Sequence, residues 1–197
     1  MLLSKLWAGR VVKTAIEEFF AVQLAKISDN DLRQKVVNVW VNAAEDGGWT
    51  VEQLIQIPFT LLTETHGVNL IQHTIAVTEG AIGLANAIED AYKPPFKVNM
   101  DWLVAGGLLH DVGKLLEIEH ADGKHQKSYS GKCARHPISG AILAAKAGLS
   151  EEIINIIGCH AKEGDGRPQR VETVLVHQAD FATFNPMVML SKGLLIT

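Results

Sequence analysis

Apolar residues recur at three- and four-residue steps along most of this chain, the spacing that gathers them on one face of an α-helix. Leu3, Leu6, Trp7, Val11, Ala15, Phe19, Val22 and Leu24 predict one amphipathic helix over residues 3–26. Ser28-Asp29-Asn30-Asp31 marks a break with N-capping chemistry. Leu32, Val36, Val39, Trp40 and Ala43 predict a second helix over 31–45, stopped by Asp46-Gly47-Gly48. Thr50-Val51-Glu52-Gln53 suits a fresh start, and Pro58 interrupts that region. A long helix is expected over 68–92, ending at Pro94-Pro95 because proline cannot continue a helix interior. Asn99 or Asp101 caps the next helix, which brings His110 and Asp111 near its C-terminal end. Residues 117–133 are polar, contain Asp122-Gly123 and Ser130-Gly131, and read as a loop. Pro137 suits a first helical position, so a helix is expected from about His136 to Ala147. Ser150-Glu151-Glu152 opens another that ends near Cys159-His160, residues 164–168 form a loop, and 172–184 are helical. From Pro186 a short apolar tail is expected. No repeat and no strand alternation is visible. The pattern predicts an all-α fold in one compact domain, with residues 1–60 as a helical N-terminal extension packed on a core formed by 61–197.

Composition narrows the classes. The 197 residues are 47% hydrophobic and 20% charged, enough for one sizeable core in an ordinary soluble chain. A net charge of -4 and a pI of about 6.0 argue against a broad electrostatic grip on nucleic acid. No apolar run approaches the ~20 residues that span a bilayer. The start Met1-Leu2-Leu3-Ser4-Lys5 soon meets Arg10, Lys13, Glu17 and Glu18 and lacks a signal-peptide pattern, so a cytoplasmic location without membrane partners is expected. Cys133 and Cys159 form no Cys-x-x-Cys pair, and no disulfide framework is expected.

The candidate chemistry centres on Leu108-Leu109-His110-Asp111-Val112-Gly113-Lys114. An imidazole and a carboxylate are carried here into apolar surroundings, and a buried ionised carboxylate is costly unless it is paired or bound to a metal. His73 lies upstream, and His136, His160 and Asp180 lie downstream. Together these six supply nitrogen and oxygen ligands for one or two divalent transition metals. Such a donor set favours Fe, Mn, Co, Ni or Zn over Mg, which prefers an all-oxygen shell.

The ordered set resembles the HD superfamily of metal-dependent phosphohydrolases. The matching residues are His73 in Gln72-His73-Thr74, the run His110-Asp111-Val112-Gly113-Lys114, and His136 in Arg135-His136-Pro137-Ile138-Ser139-Gly140. His160 in Cys159-His160-Ala161 and Asp180 in Gln178-Ala179-Asp180-Phe181 complete it, so the resemblance covers roughly residues 66–181. It implies an HD-type helical bundle. His73, His110, Asp111 and Asp180 would hold one metal, and His136 and His160 a second that shares Asp111 as a bridge. The implied activity is hydrolysis of a phosphomonoester or phosphodiester, of a nucleotide in particular, by water activated between two metals. Asp111 and Lys114 are the candidate catalytic residues.

The remaining candidates are substrate contacts. In the resembled family the lysine equivalent to Lys114 faces the substrate phosphate; the alternative is an exposed lysine near a helix C-terminus. His66, two helical turns before His73, either shares its face and touches substrate or lies at the surface. Arg135 and Lys162 either meet phosphate or are surface charges. His177 is a partner behind the ligands or a structural residue, His120 and His125 are solvated, and Cys159 packs as a small apolar group. Two other enzymatic functions compete, beside a non-catalytic sensor module that uses the site to bind a ligand, against which the intact ligand set argues. Gly67–His73 and Leu103–Lys114 also resemble the HD domain of certain 3′-exoribonucleases, although no nucleic-acid module is apparent and the acidic balance weighs against RNA. Dinuclear-iron oxygenases of the HD superfamily use the same six ligand types, while the Gly113-Lys114 context leans toward phosphate. The chain lacks the Gly-Tyr-Pro signature of the cyclic-di-GMP branch. The expected partner is thus a small phosphorylated molecule.

Overall fold

The computed structural model describes residues 2–196, with side chains from residue 9 onward. Helices α1 (Leu2–Phe19), α2 (Ala21–Leu24), α3 (Asn30–Gly47) and α4 (Val51–Leu54) form the N-terminal part. Asp29 caps α3 by accepting from the backbone N–H groups of Asp31 and Leu32, and Gly48 ends it in the left-handed conformation at φ 72°. Thr50 and Gln53 close a reciprocal capping box on α4. The single helix expected over 3–26 is broken at Phe20, which leaves helical geometry at φ −112°, ψ 16°. Its ring is fully buried, 5.1 Å from that of Trp40. The expected burial of Leu3, Leu6 and Trp7 lies outside the described side chains.

The rest comprises α5 (Leu70–Tyr92), α6 (Met100–Leu109), α7 (Lys114–Glu117), β1 (Ile118–Ala121), β2 (Lys124–Lys127), α8 (Tyr129–Cys133), α9 (His136–Lys146), α10 (Glu151–Cys159) and α11 (Val171–Ser191). Asn69 and Gln72 box the start of α5. Asn99, rather than Asp101, caps α6 by accepting from the N–H of Trp102. Asp101 instead accepts from Ser28 and Asp29 and pins the turn before α3. The mean character is all-α, as the hydrophobic spacing predicts.

Two further expectations are corrected. Residues 117–133 are not a loop: β1 and β2 pair antiparallel with Ile118 opposite Lys127 and His120 opposite His125, and α8 follows. Asp122 and Gly123 both adopt positive φ, 53° and 74°, the turn chemistry that a two-residue hairpin requires. The polar composition of the strands concealed the signal. Nor is Pro186 the start of a tail, because α11 runs through it to Ser191. Proline forfeits the bond to the carbonyl of Ala182, but Ala182 is exposed, where solvent can compensate.

Helix α6 lies at the centre, against α3, α5, α10 and α11. It buries Leu103, Val104, Ala105, Leu108 and Leu109, which explains its nearly uniform apolar sequence. One hydrophobic cluster runs from Ile16, Phe20 and Trp40 through Leu108 and Leu115 to Ile153 and Ile157. The indole N–H of Trp40 donates to the carbonyl of Leu108 at 2.8 Å, and that of Trp49 to Leu115 at 2.7 Å. The N-terminal helices thereby brace both sides of the turn that carries His110 and Asp111. No described helix is long and apolar enough to cross a membrane.

Candidate metal centre

Five helices and one turn deliver the six candidate ligands. His73 sits one turn into α5, His110 ends α6, and Asp111 occupies the turn into α7. His136 opens α9, His160 ends α10, and Asp180 lies within α11. Gly113 lets α9 approach this turn, since a Cβ there would collide with the His136 carbonyl and the Ser139 hydroxyl. His73, His110, Asp111, His136 and His160 are all buried.

Each imidazole has its Nδ1 committed away from the centre. Nδ1 of His110 lies 2.7 Å from the Gly107 carbonyl and that of His160 lies 2.8 Å from the Ile157 carbonyl. A carbonyl only accepts, so both rings carry their proton on Nδ1. Nδ1 of His136 donates to Glu117 Oε2 at 2.7 Å. The Thr183 hydroxyl donates to the Asp180 carbonyl at 2.8 Å, leaving its oxygen to accept from His73 Nδ1 at 3.3 Å. In their neutral forms all four rings therefore point an Nε2 lone pair inward.

The inward atoms meet carboxylate oxygens without hydrogen bonds. His73 Nε2 is 3.3 Å from Asp111 Oδ2 and 3.2 Å from Asp180 Oδ1, and His110 Nε2 is 3.4 Å from Asp111 Oδ2. His136 Nε2 and His160 Nε2 are 3.2 and 3.8 Å from Asp111 Oδ1. Nε2 of His73, His110 and His160 and Oδ1 of Asp111 are buried without a partner. Such orphaned acceptors facing one another repel unless a cation lies between them. His73, His110 and Asp111 form one group able to hold a metal; Asp111, His136 and His160 form another, with the donor atoms of each within 4.8 Å. The donor set thus fits divalent metal, and Asp111 is common to both groups.

Proton affinities follow from the same geometry. Burial pushes the Asp111 carboxyl up, but the charges of Lys114, His110 and His136 outweigh it and hold the group well below the usual carboxylate range. Burial likewise opposes ionisation of Asp180, yet its contact with His73 brings it to about 2. Burial depresses His136. It also acts to depress His73, but the carboxylates of Asp111 and Asp180 overcome it and raise that ring.

Lys114 is not the exposed lysine of the alternative reading. Its Nζ donates to Asp111 Oδ2 at 2.6 Å and to the Phe59 carbonyl. It also lines a cavity of about 340 Å³ that opens on the centre between His136 and Asp180. Lys127, Arg135, Lys162, Phe59, Leu61, Leu62, Phe181 and Phe184 line its wall. Arg135 is tied to Glu163 at 2.6 Å. Of the two placements open to His66, the structure shows the surface: α5 starts only at Leu70, and His66 lies exposed in a turn at φ 51°, outside the cavity lining. His177 donates from Nδ1 to the His160 carbonyl at 2.6 Å. His120 and His125 face each other across the hairpin, and His125 is half-buried against Trp49 rather than fully solvated.

Glu117 and Thr183 escape the sequence reading. Glu117 Oε2 accepts from both the backbone N–H and Nδ1–H of His136, each at 2.7 Å, while Oε1 lies 3.3 Å from Lys127. Burial works against its charge, but the bonds and charge of His136 prevail and set its pKa at about 2. Its place three residues after Lys114, one turn along α7, was the only local signal.

At the heart of the helical bundle, histidines and Asp111 form a buried cluster able to hold divalent metal. The HD domain model matches residues 70–182, and the chain belongs to the HD-domain family. It is 31% identical over 171 residues to the dihydroneopterin 2′,3′-cyclic phosphate phosphodiesterase of Methanocaldococcus jannaschii, covering 82% of this chain and 66% of that protein. It is 28% identical over 172 residues to ribonuclease Y of Thermosipho melanesiensis, covering 87% of this chain and 29% of that protein. Ribonuclease Y of Thermotoga maritima is 34% identical over 116 residues, 59% of this chain and 18% of that protein. The chain thus spans just under two thirds of the phosphodiesterase and under a third of either ribonuclease. No solved structure matches it significantly.

Proposed function

We propose that this chain is a metal-dependent phosphohydrolase that cleaves a phosphodiester or phosphomonoester of a nucleotide-like molecule. Its centre is dinuclear, with His73, His110, Asp111 and Asp180 at one metal and Asp111, His136 and His160 at the other. The observation that carries this reading is the Asp111 carboxylate, whose two oxygens face different pairs of histidine lone pairs. Divalent ions held there supply Lewis-acid neutralisation of phosphoryl charge and acidify a water for attack near neutral pH. Asp111 keeps the two groups in register, and Glu117 and Thr183 keep His136 and His73 in the tautomer that presents Nε2. Lys114, Lys127, Arg135 and Lys162 supply donors for phosphoryl oxygens along the cavity wall.

Similarity to a phosphodiesterase whose named substrate is a 2′,3′-cyclic phosphate supports a small cyclic phosphodiester. The cavity supports it too, being near the low end of the ~300–1,000 Å³ common for small-ligand sites. The test is hydrolysis of adenosine 2′,3′-cyclic phosphate by chain reconstituted with Mn²⁺, Co²⁺, Ni²⁺, Zn²⁺ or Fe²⁺, read as monophosphate release beside metal content. A metal-replete chain inert toward cyclic and linear phosphate esters overturns the reading. Similarity to ribonuclease Y over 87% of the chain supports a second reading, RNA cleavage. A 3′-labelled oligoribonucleotide in the same assay separates the two.

A further inference from the structure

We propose that the cavity is divided into two subsites, and that the one beside Asp180 seats a flat heteroaromatic ring of the substrate on Phe181 and Phe184. This rests on the phosphoester reading of the metal centre and specifies which part of the substrate lies where. The cavity meets the centre between His136 and Asp180, so a phosphoryl group bound there has one flank toward each residue.

The His136 flank is basic. Lys127 reaches it through Glu117, the partner of His136, and Arg135 immediately precedes His136. Lys162 lies beside Glu163, the partner of Arg135. The Asp180 flank is apolar. Phe181 and Phe184 follow Asp180 on α11, half-buried at the cavity wall. An aromatic run continues inward: Phe181 to Phe184 at 6.4 Å and 73°, Phe184 to Phe59 at 6.3 Å and 85°, then Phe59 stacked on His73 at 4.6 Å. The loop after Phe59 returns along the same helix, where Thr63 donates to the Ser191 hydroxyl at 2.9 Å. It carries Leu61 and Leu62 to the cavity, and Leu62 is 82% exposed.

Polarity is therefore segregated across the scissile position. A sugar phosphate or an inorganic polyphosphate offers nothing apolar to the aromatic flank and leaves Leu62 in water. A phosphoester bearing a flat ring covers that flank and directs its remaining oxygens to the lysines and arginine. Stacking suits any such ring, since every heteroaromatic base has a π-face, and loss of one stacking partner commonly costs about tenfold or more.

The test compares two strained five-membered cyclic phosphodiesters, adenosine 2′,3′-cyclic phosphate and glycerol 1,2-cyclic phosphate, which lacks a heteroaromatic ring, on the metal-loaded chain. The expected kcat/KM ratio favours the nucleoside ester at least tenfold. Phe181→Ala and Phe184→Ala each lower that ratio about tenfold, largely through KM, whereas Phe184→Tyr retains it and controls for folding. Lys162→Ala lowers both substrates alike. A ratio near one, or a ratio that neither alanine variant moves, overturns the subsite. Calorimetric binding of adenosine 3′-monophosphate runs alongside. If neither ester turns over but the nucleotide binds and either alanine variant weakens it about tenfold, the ring subsite stands and the hydrolytic reading fails. If the nucleotide neither binds nor turns over, both fail.

Discussion

Replacing Glu117 with alanine tests whether one half of the centre depends on a carboxylate outside it. Glu117 Oε2 accepts the backbone N–H and the Nδ1–H of His136 at 2.7 Å each, and Oε1 lies 3.3 Å from Lys127. Alanine leaves both donors of a buried residue without a partner. It also removes the group that keeps the ring proton on Nδ1. The proton is then free to occupy Nε2, the atom 3.2 Å from Asp111 Oδ1, and a protonated Nε2 cannot ligate. Loss of an outer partner of a ligating histidine costs roughly 10–100-fold in metal affinity, about 1.4–2.7 kcal/mol. The effect is confined to the group of Asp111, His136 and His160, because His73 and His110 are oriented by Thr183 and Gly107 instead. Titrating metal-free chain with Co²⁺ in a calorimeter should therefore show one binding step weakened by that factor and the other kept. Glu117→Gln retains an acceptor for His136 and should stay within a few-fold of the parent. Two unchanged steps, or two steps lost together, would refute the reasoning.

Asp111→Ala removes the ligand common to both groups, so metal per chain by elemental analysis should fall to background and phosphoesterase activity with it; a metal-replete, active variant contradicts the bridge. Lys114→Met keeps the apolar stem but removes the ammonium, and should lower turnover of phosphate esters about 100-fold while metal content is retained; loss of metal instead makes Lys114 structural. Trp40→Ala empties a fully buried site and deletes the bond to the Leu108 carbonyl, so the urea midpoint should reflect a loss of about 3–5 kcal/mol. An unaltered midpoint would separate the N-terminal helices from the core of the site. In the metal-free chain Glu117 is depressed from 4.5 to about 2 despite the burial that opposes its charge, through its bonds to His136. Its contribution to stability is therefore complete above about 4.5 and lost as pH falls toward about 2. Urea midpoints should decline across that window, less steeply in Glu117→Gln; parallel curves would contradict the linkage. His73, raised by Asp111 and Asp180 against its burial, acts in the opposite sense, its share present below 6.5 and lost as pH rises through its folded value.

Helix periodicity carried the fold class, since a 3.6-residue repeat is a local property of the chain. Asp29, Thr50 and Asn99 announced helix starts through side chains that cap within three residues. Local signals also failed where a competing contact won: Phe20 broke a periodic run to pack on Trp40, and the Asp122-Gly123 turn organised two strands with no apolar alternation. The six candidate ligands were legible by residue type and order; the fold brings the donor atoms of five into two groups joined at Asp111 and sets Asp180 3.2 Å from His73. What sequence order could not determine was the placement of protons and of the cavity wall. His136 takes its tautomer from Glu117, 19 residues away, and His73 from Thr183, 110 residues away. The aromatic flank likewise joins Phe59 to Phe184, and the basic flank joins Lys127, Arg135 and Lys162 from three different segments. A hydrogen bond or a stacked ring depends on distance through space. Only the packing of α5, α6, α9, α10 and α11 around one turn sets those distances.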